Sequence, residues 1–176
     1  MKLTPTAISG VVIIDLEPAH DDRGFFARSF DRAVFAEQGL FIEVVEMSVS
    51  FNQHLATLRG LHYQAEPHPD AKIVRCTGGA IFDVAVDLRA DSPTYCHWIG
   101  TELSAANRRA VHIPTGCAHG FITLQDETEV SYIMGEAHHP TLTRGVRWND
   151  PVIDVKWPLV PEVISERDRN LEDFKP

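Results

Sequence analysis

The sequence predicts an all-β protein, because nine short segments rich in branched and aromatic residues follow one another, with turn-forming residues between most of them. These segments span residues 11–16, 42–49, 57–64, 72–77, 80–88, 98–103, 110–113, 120–124 and 128–134. Helical periodicity is convincing only over residues 31–38, and residues 165–174 have room for one or two further turns. Many closely spaced strands with few helices are typical of a β-sandwich, a jelly roll or a small barrel.

Local signals define some of these elements more closely. Asp31 is suited to cap the first helix, because a side-chain oxygen at this position accepts from the free N–H groups of the first turn. Gly78 and Gly79 separate two strand segments by only two residues, which predicts a β-hairpin. In segment 80–88 alternate residues share a face, so Asp83 and Phe82 point to opposite faces of the strand. The pattern leaves open whether Asp83 faces solvent or the lumen of a barrel.

Composition excludes several classes of function. Of the 176 residues, 44% are hydrophobic and 23% charged, so the chain has enough apolar material for a core. Sixteen basic against 25 acidic residues give a formal charge of −9, which argues against binding of nucleic-acid polymers. No segment approaches the roughly 18 apolar residues of a membrane span, and the first residues do not resemble a signal peptide. We therefore expect one soluble, cytoplasmic domain over residues 1–176 with no membrane partner.

Among the side chains that can carry chemistry, two of the nine histidines differ from the rest. His62 lies in a predicted strand close to Arg59, and His119 follows a tight turn rich in Pro and Gly. Arg59 and His62 are three residues apart and would face opposite ways in a flat strand, so a shared pocket requires a bulge or strong twist near Gly60. The three cysteines are widely spaced and odd in number, which favours reduced thiols over disulfides or a zinc site.

The segment from Pro114 to Phe121 resembles a motif of the cupin jelly rolls, Pro-x-Gly-x-x-His-x-Phe. Many cupins bind a metal through a His-x-His pair and a Glu, whereas the corresponding strand here reads His62-Tyr63-Gln64. One imidazole and one amide are a poor ligand set for a divalent ion, so we expect no metal there.

The full set of motifs resembles the dTDP-4-dehydrorhamnose 3,5-epimerase family of deoxysugar biosynthesis, from about Gly10 to Phe174. Seven motifs occur in order: Arg23-Gly24-Phe25-Phe26, Thr57 to Gln64, Lys72-Ile73-Val74-Arg75, Asp83 to Arg89, Ser92-Pro93-Thr94, Pro114 to Phe121 and Trp148-Asn149-Asp150-Pro151. The resemblance implies a cupin-type jelly roll, or double-stranded β-helix, with short flanking helices. It also implies a homodimer with exchanged strands, in which Arg23 comes from the neighbouring subunit.

The resemblance implies a cofactor-independent isomerase that acts on a sugar linked to a nucleoside diphosphate. The C4 ketone of such a sugar acidifies C3–H and C5–H, because the carbanion is delocalised as an enolate. In this mechanism His62 is the base, oriented by Asp168, Lys72 supports the enolate, and Tyr132 is the acid on the opposite face. The residues implied to bind substrate are Arg23, Phe26, Arg28, Glu46, Ser48, Arg59, Asp83, His119, His138 and Thr143.

The sequence departs from the family pattern around the nucleotide and the pocket mouth. Arg28 replaces a Glu that contacts thymine, Glu46 and Ser48 occupy a Gln-x-Asn motif, His138 replaces a Tyr, and Thr143 replaces a Glu. Arg28 as a donor, together with Glu46, would complement cytosine better than thymine, which predicts a CDP-linked or other non-dTDP substrate. The missing Tyr and the missing Gln-x-Asn motif leave open an enzyme that inverts a single carbon, C3 or C5. Alternatives on the same scaffold are a ketoisomerase, a heptose epimerase and a non-catalytic sugar-binding module.

Overall fold

The computed structural model describes residues 1–40 and 43–175 and contains, within them, fourteen strands and two short helices. In chain order these are β1 (Lys2–Pro5), β2 (Val12–Asp15), β3 (Ala19–Asp21), β4 (Gly24–Phe26), α1 (Arg32–Glu37), β5 (Glu46–Asn52), β6 (Thr57–Gln64), β7 (Lys72–Gly78), β8 (Ala80–Asp87), β9 (Trp98–Ser104), β10 (Ala110–Ile113), β11 (Cys117–Thr123), β12 (Thr128–Met134), β13 (Thr143–Gly145), β14 (Val163–Ile164) and α2 (Glu166–Arg169). The all-β prediction is confirmed.

Two antiparallel sheets face one another across the core. The front sheet has the strand order β1-β2-β10-β7-β12-β5, and the back sheet has the order β13-β6-β11-β8-β9 with β14 parallel to β6. Buried residues of both sheets meet between them, for example Val74 and Val130 from the front and Ile81 and Phe121 from the back. This is the jelly-roll architecture that the motifs implied. Strands β3 and β4 form a separate hairpin.

Every predicted strand overlaps an observed one. Segments 57–64, 110–113 and 128–134 have the bounds of β6, β10 and β12, whereas β11 begins at Cys117, three residues before the predicted start. The segment predicted over 42–49 overlaps β5, which begins at Glu46; Ile42 lies outside the described residues. The strands that were not predicted, β1, β3, β4, β13 and β14, have two to four residues, too few to show alternation.

The predicted hairpin at Gly78 and Gly79 is wrong. Strand β7 pairs with β10 and β12 of the front sheet, whereas β8 pairs with β9 and β11 of the back sheet. The two glycines therefore carry the chain from one sheet to the other. Gly79 has φ +71°, and a Cβ on it would lie 2.4 Å from the Thr128 hydroxyl oxygen, so the crossing needs a residue without a side chain.

Both helices are short and lie where the sequence predicts them. Asp31 caps α1 by accepting hydrogen bonds from the N–H groups of Ala33 and Val34. Phe35 of α1 is buried against Ile14 on the outer face of the front sheet. Helix α2 is a single turn near the C-terminus. None of the helices among residues 1–40 and 43–175 is long and apolar enough to cross a membrane.

Two aspartates of β8 have different roles. Asp83 is buried between the sheets, which decides the question that the alternation left open. Asp87 is also buried and accepts hydrogen bonds from Arg89 Nε and Thr94 Oγ1, both at 2.7 Å, and from the Ser92 hydroxyl. The hydrogen bonds to Asp87 thus hold the loop between β8 and β9 in place. The three cysteines are free thiols, as expected.

Candidate active site

A cavity of about 610 Å³ opens between the two sheets. Its lining residues come from five strands, β5, β6, β7, β11 and β12, and from the C-terminal segment: Ser50, Thr57, Leu58, Arg59, His62, Lys72, His119, Phe121, Tyr132, Met134, Val163, Ile164, Ser165, Arg167 and Asp168. The cavity is lined by all four residues predicted to be catalytic, namely His62, Lys72, Tyr132 and Asp168. The fold therefore brings together residues that are up to 106 positions apart in the chain.

An irregularity in β6 turns both Arg59 and His62 toward the cavity. His62 pairs with His119 and Arg59 pairs with Phe121, so three residue steps on β6 match two on β11. This is the bulge predicted near Gly60. Gly60 has φ +128°, and a Cβ there would lie 2.5 Å from the Cα of Gly120. The close approach of the two backbones therefore requires glycine at this position.

The imidazole of His62 is paired with Asp168, with 2.6 Å between His62 Nε2 and Asp168 Oδ1. Strand β14 lies parallel to β6, and Ser165 caps the helical turn that follows. The C-terminal segment therefore places Asp168 beside Nε2 of His62. Burial opposes ionisation of Asp168, but the hydrogen bond to His62 and the N–H of Gly60 outweigh it and hold its pKa below the usual value. Asp168 is therefore a carboxylate.

A second buried histidine–carboxylate pair lies beside the first. His119 Nε2 is 2.7 Å from Asp83 Oδ2, and both side chains are buried. Because directly opposite residues of antiparallel strands share a face, His119 lies next to His62 on the cavity wall. The hydrogen bond to Asp83 orients the imidazole of His119.

Tyr132 faces the two histidines from the front sheet. Its ring meets that of His119 edge to face, with 6.3 Å between centroids. Burial raises the pKa of Tyr132 to about 12, and the nearby Asp83 carboxylate acts in the same direction. The phenol therefore keeps its proton unless a strong base forms next to it.

Lys72 is the first residue of β7 and a buried cation of the cavity. Its ammonium lies 3.0 Å from Asp70 Oδ2, and both side chains are almost completely shielded from solvent. Lys72 pairs with Met134 on β12, two residues from Tyr132 on the same face. The cation and the phenol therefore belong to the same wall, opposite His62.

Two arginines complete the positive charge of the cavity. Arg59 Nε donates to Asn52 Oδ1 at 2.7 Å, which ties the guanidinium to β5 across the gap between the sheets. Arg167, immediately before Asp168, also lines the cavity. It was not predicted as a site residue, and neither was Ser50. The two-residue spacing of Glu46, Ser48 and Ser50 was a usable signal for the serine, whereas Arg167 is one of several charged residues near the C-terminus.

The residues predicted to surround the nucleotide are only partly gathered at the cavity. Ser48 lies directly opposite Tyr132, and Glu46 directly opposite Met134, so both β5 side chains share the inner face. Glu46 accepts a hydrogen bond from the His138 backbone N–H at 3.4 Å. Thr143 pairs with Gln64 at the far end of β6.

Three other predicted substrate-binding residues lie away from the cavity within this chain. Arg23 and Phe26 belong to the β3–β4 hairpin, in which Phe26 is 78% exposed and the Arg23 side chain 90% exposed. Arg23 pairs with Asp21 of the same hairpin. Arg28 lies beside the N-terminus of α1 and binds Asp31 at 2.6 Å.

Both cavity histidines are paired with a carboxylate through Nε2, His62 with Asp168 and His119 with Asp83. Such pairing fits a proton-transfer site, because the carboxylate sets the tautomer and stabilises the imidazolium.

The profile of the dTDP-4-dehydrorhamnose 3,5-epimerase family matches residues 5–176 of the sequence. The chain belongs to this family. A dTDP-4-dehydrorhamnose 3,5-epimerase from Methanothermobacter thermautotrophicus is 46% identical over 177 residues, which cover 99% of this chain and 95% of the relative. One from Shigella flexneri is 42% identical over 175 residues, covering 99% and 96%. Membership in the dTDP-4-dehydrorhamnose 3,5-epimerase family places the chain among isomerases, as a carbohydrate epimerase.

The fold agrees with this family in three dimensions. The crystal structure of dTDP-4-dehydrorhamnose 3,5-epimerase from Bacillus anthracis, with TDP and PPi bound, is similar with a TM-score of 0.94 and 38% sequence identity. The similarity covers 98% of this chain and 99% of the Bacillus anthracis chain. The cupin-type jelly roll of the dTDP-4-dehydrorhamnose 3,5-epimerases is thus present from end to end.

Proposed function

We propose that the protein is a cofactor-independent epimerase of a 4-keto-6-deoxyhexose linked to a nucleoside diphosphate, of the dTDP-4-dehydro-6-deoxyglucose 3,5-epimerase type. The observation that carries this proposal is the placement of the His62–Asp168 pair on the back sheet and of Tyr132 on the front sheet of one cavity. Inversion at carbon removes a proton from one face of the sugar and returns one to the other. A base and an acid on opposite walls meet this requirement.

His62 removes the proton. Because Nε2–H donates to the Asp168 carboxylate, the neutral imidazole carries its lone pair on Nδ1, which is the nitrogen that takes the proton from C3 or C5. Asp168 then stabilises the imidazolium that forms. General base catalysis of this kind contributes about 10²–10⁴-fold to the rate.

The electron pair left on carbon moves onto the C4 oxygen, and Lys72 is the cation that stabilises this enolate. Asp70 keeps the ammonium in place at 3.0 Å, so its charge is already oriented before the enolate forms. Preorganised charge of this kind lowers the barrier without reorganisation during the reaction.

Tyr132 returns the proton from the opposite face. A phenol whose pKa is raised to about 12 does not ionise in water near neutral pH, but it donates to a carbanion as that carbanion regains its proton. The resulting phenolate and the imidazolium of His62 then exchange protons with solvent, which restores the enzyme. Solvent hydrogen is therefore incorporated at each inverted carbon.

Arg59, Arg167 and His119 are suited to the diphosphate and the sugar hydroxyl groups. The chain as a whole is strongly acidic, but these side chains and Lys72 make the cavity locally basic, which suits one small anion rather than a polyanion. The family relatives are named for dTDP sugars, and Arg28 binds Asp31. Both points favour a dTDP-linked substrate over the CDP-linked one that Arg28 and Glu46 predicted.

We also propose that the protein acts as a homodimer with exchanged strands. The inner row of β5 is polar, whereas its outer row, Met47, Val49 and Phe51, is apolar and 69%, 63% and 57% exposed. A sheet edge with its apolar face outward is suited to a second copy. The exposed β3–β4 hairpin, with Arg23 and Phe26, would extend toward the neighbouring subunit and its cavity.

A time course of NMR spectra in heavy water tests the reaction. With a dTDP-linked 4-keto-6-deoxyglucose, we expect deuterium to enter at C3, at C5 or at both, and the labelled positions report which centres are inverted. Parallel titrations with dTDP, CDP and GDP report the base preference. If no deuterium enters at either carbon while dTDP still binds, the protein is a sugar-binding module and the catalytic proposal is wrong.

A further inference from the structure

Two loops at one end of β6 bring three metal-ligating side chains together outside the catalytic cavity. His68 lies in the loop between β6 and β7, and Glu136 and His139 lie in the loop between β12 and β13. One nitrogen or oxygen of each lies within 4.8 Å of the others. We propose that His68, Glu136 and His139 form a binding site for a divalent transition-metal ion, for which Zn²⁺ is the best match.

The two loops are held in place by one buried amide. Gln64, at the end of β6, donates from Nε2 to the carbonyl of His68 at 2.7 Å and to that of Ala137 at 3.0 Å. Its Oε1 accepts from the His139 N–H at 2.8 Å. The backbones that carry all three candidate ligands are thus fixed from a single buried side chain. A site built on such supports loses little entropy when an ion binds.

The distances and the donor set suit zinc. His68 Nδ1 lies 3.5 Å from Glu136 Oε2. Two ligands at about 2.0–2.2 Å from a tetrahedral zinc are roughly 3.4 Å apart, so this pair already has the required separation. Two imidazoles and one carboxylate are a known zinc ligand set, which leaves the fourth position for water.

The position of the Glu136 carboxylate is fixed by its neighbours. The Ala137 N–H donates to Glu136 Oε1 at 2.9 Å, and Glu136 Oε2 lies beside His68 Nδ1. The histidine rings are stacked, 4.2 Å between centroids and 13° between planes. The ring nitrogens of two stacked, nearly parallel imidazoles have their lone pairs in separate planes, so both cannot be directed at one point. Binding therefore turns one ring about its Cβ–Cγ bond, a soft torsion.

The site lies apart from the proposed chemistry but is connected to it by the chain. The first loop leads through Asp70 to Lys72, and the second contains His138, whose N–H donates to Glu46. An ion bound to both loops would stabilise them against local opening, because it binds only the folded arrangement. Its expected effect is on stability rather than on proton transfer.

The test is a calorimetric titration of ZnCl₂ into the metal-free full-length protein, prepared without a histidine tag. We expect one equivalent to bind and the thermal unfolding midpoint to rise. His68→Gln and His139→Gln should each weaken binding by at least about tenfold. His97→Gln, an exposed histidine outside the cluster, is the matched control and should bind as the unchanged protein does.

A Co²⁺ titration gives a second readout, because tetrahedral Co²⁺ has strong visible absorption bands that His68→Gln should remove. Urea unfolding of the metal-free variants verifies that they are folded. The proposal is overturned if no zinc binds, or if both cluster variants bind it with unchanged affinity. It is equally overturned if His62→Gln rather than the cluster variants abolishes binding, since the ion would then occupy the catalytic cavity.

Discussion

His62 Nε2 lies 2.6 Å from Asp168 Oδ1, although the two residues are 106 positions apart in the chain. The second oxygen of Asp168 accepts the N–H of Gly60, the residue at the bulge that turns His62 toward the cavity. One carboxylate therefore holds both the imidazole and the backbone irregularity that positions it. A substitution that removes the charge of Asp168 but keeps its shape therefore tests the role of the carboxylate.

Asp168→Asn should lower kcat by roughly 10²–10⁴-fold with little change in KM. The amide oxygen would satisfy the Gly60 N–H and turn its NH₂ toward His62. The histidine would then have to accept at Nε2 and carry its proton on Nδ1, the nitrogen that the mechanism needs free. Deuterium incorporation by NMR measures the loss. Glu166→Gln, exposed on the same helical turn, is the control, and equal activity of the two variants would contradict the proposal.

His62→Ala and Tyr132→Phe should separate the two proton transfers. Without His62, no proton is removed, so deuterium incorporation should fall at every inverted carbon. Tyr132→Phe retains the base, so solvent deuterium should still enter at the carbon, returned by His62 with retention, while inversion is lost. Comparing deuterium content with the stereochemistry of the product checks this difference. Undiminished incorporation in His62→Ala would exclude His62 as the base.

Lys72→Met should reduce both activity and stability, and a second substitution should separate the two effects. The single variant leaves the buried Asp70 carboxylate without its cation, a loss typically of about 3–5 kcal/mol. The double variant Lys72→Met with Asp70→Asn should regain most of the free energy of unfolding, measured by urea denaturation, while its kcat stays low. Recovery of kcat in the double variant would show that Lys72 has only a structural role.

Asp87→Asn should destabilise the protein and reduce its sensitivity to acid. Burial opposes the charge of Asp87, but donors from Arg89, Ser92 and Thr94 outweigh it and hold its pKa far below the usual value. Because the pKa is lower in the folded than in the unfolded chain, the stabilisation is complete above about pH 4 and is lost as pH falls toward the folded-state value. Urea unfolding between pH 7 and pH 3 should show a shallower acid dependence in the variant. An unchanged slope would assign that dependence to other carboxyl groups.

Val49→Asp should dissociate the proposed dimer. The substitution places a charge in the middle of the apolar outer row of β5, where a second copy would bury it without a partner. Analytical ultracentrifugation measures the change in mass. Val160→Asp alters a side chain that is also highly exposed but lies outside this strand, and it should leave the mass unchanged. A monomeric unchanged protein would remove the basis for the dimer.

Much of the fold was readable in the sequence because it depends on local periodicity. Strands β6, β10 and β12 show it over their full length, and Asp31 marks the start of α1 by its capping oxygen. The ordered motifs also identified the family and the histidine in the cavity. For the strands and the helix cap the informative residues are close together in the chain, so short-range stereochemistry is sufficient, whereas the family was identified from the resemblance of its ordered motifs.

The crossing between the sheets was not readable in this way. Two glycines between strands favour a hairpin locally, yet β7 and β8 separate because β7 is paired on both edges by β10 and β12, and β8 by β9 and β11. The bulge at Gly60 was deduced only as a requirement of a shared pocket, and its register is set by contact with β11.

By itself, therefore, the sequence determined the all-β class, the helix cap and, through the resemblance of its motifs, the family; it also predicted the four side chains of the proposed proton transfer. Only the tertiary structure decided that Asp83 is buried beside His119, that Asp168 reaches His62, and that two loops meet around Gln64. The physical reason is that periodicity records which face of a strand is buried. Which distant side chains then meet depends on the pairing and packing of whole sheets, which no single segment encodes.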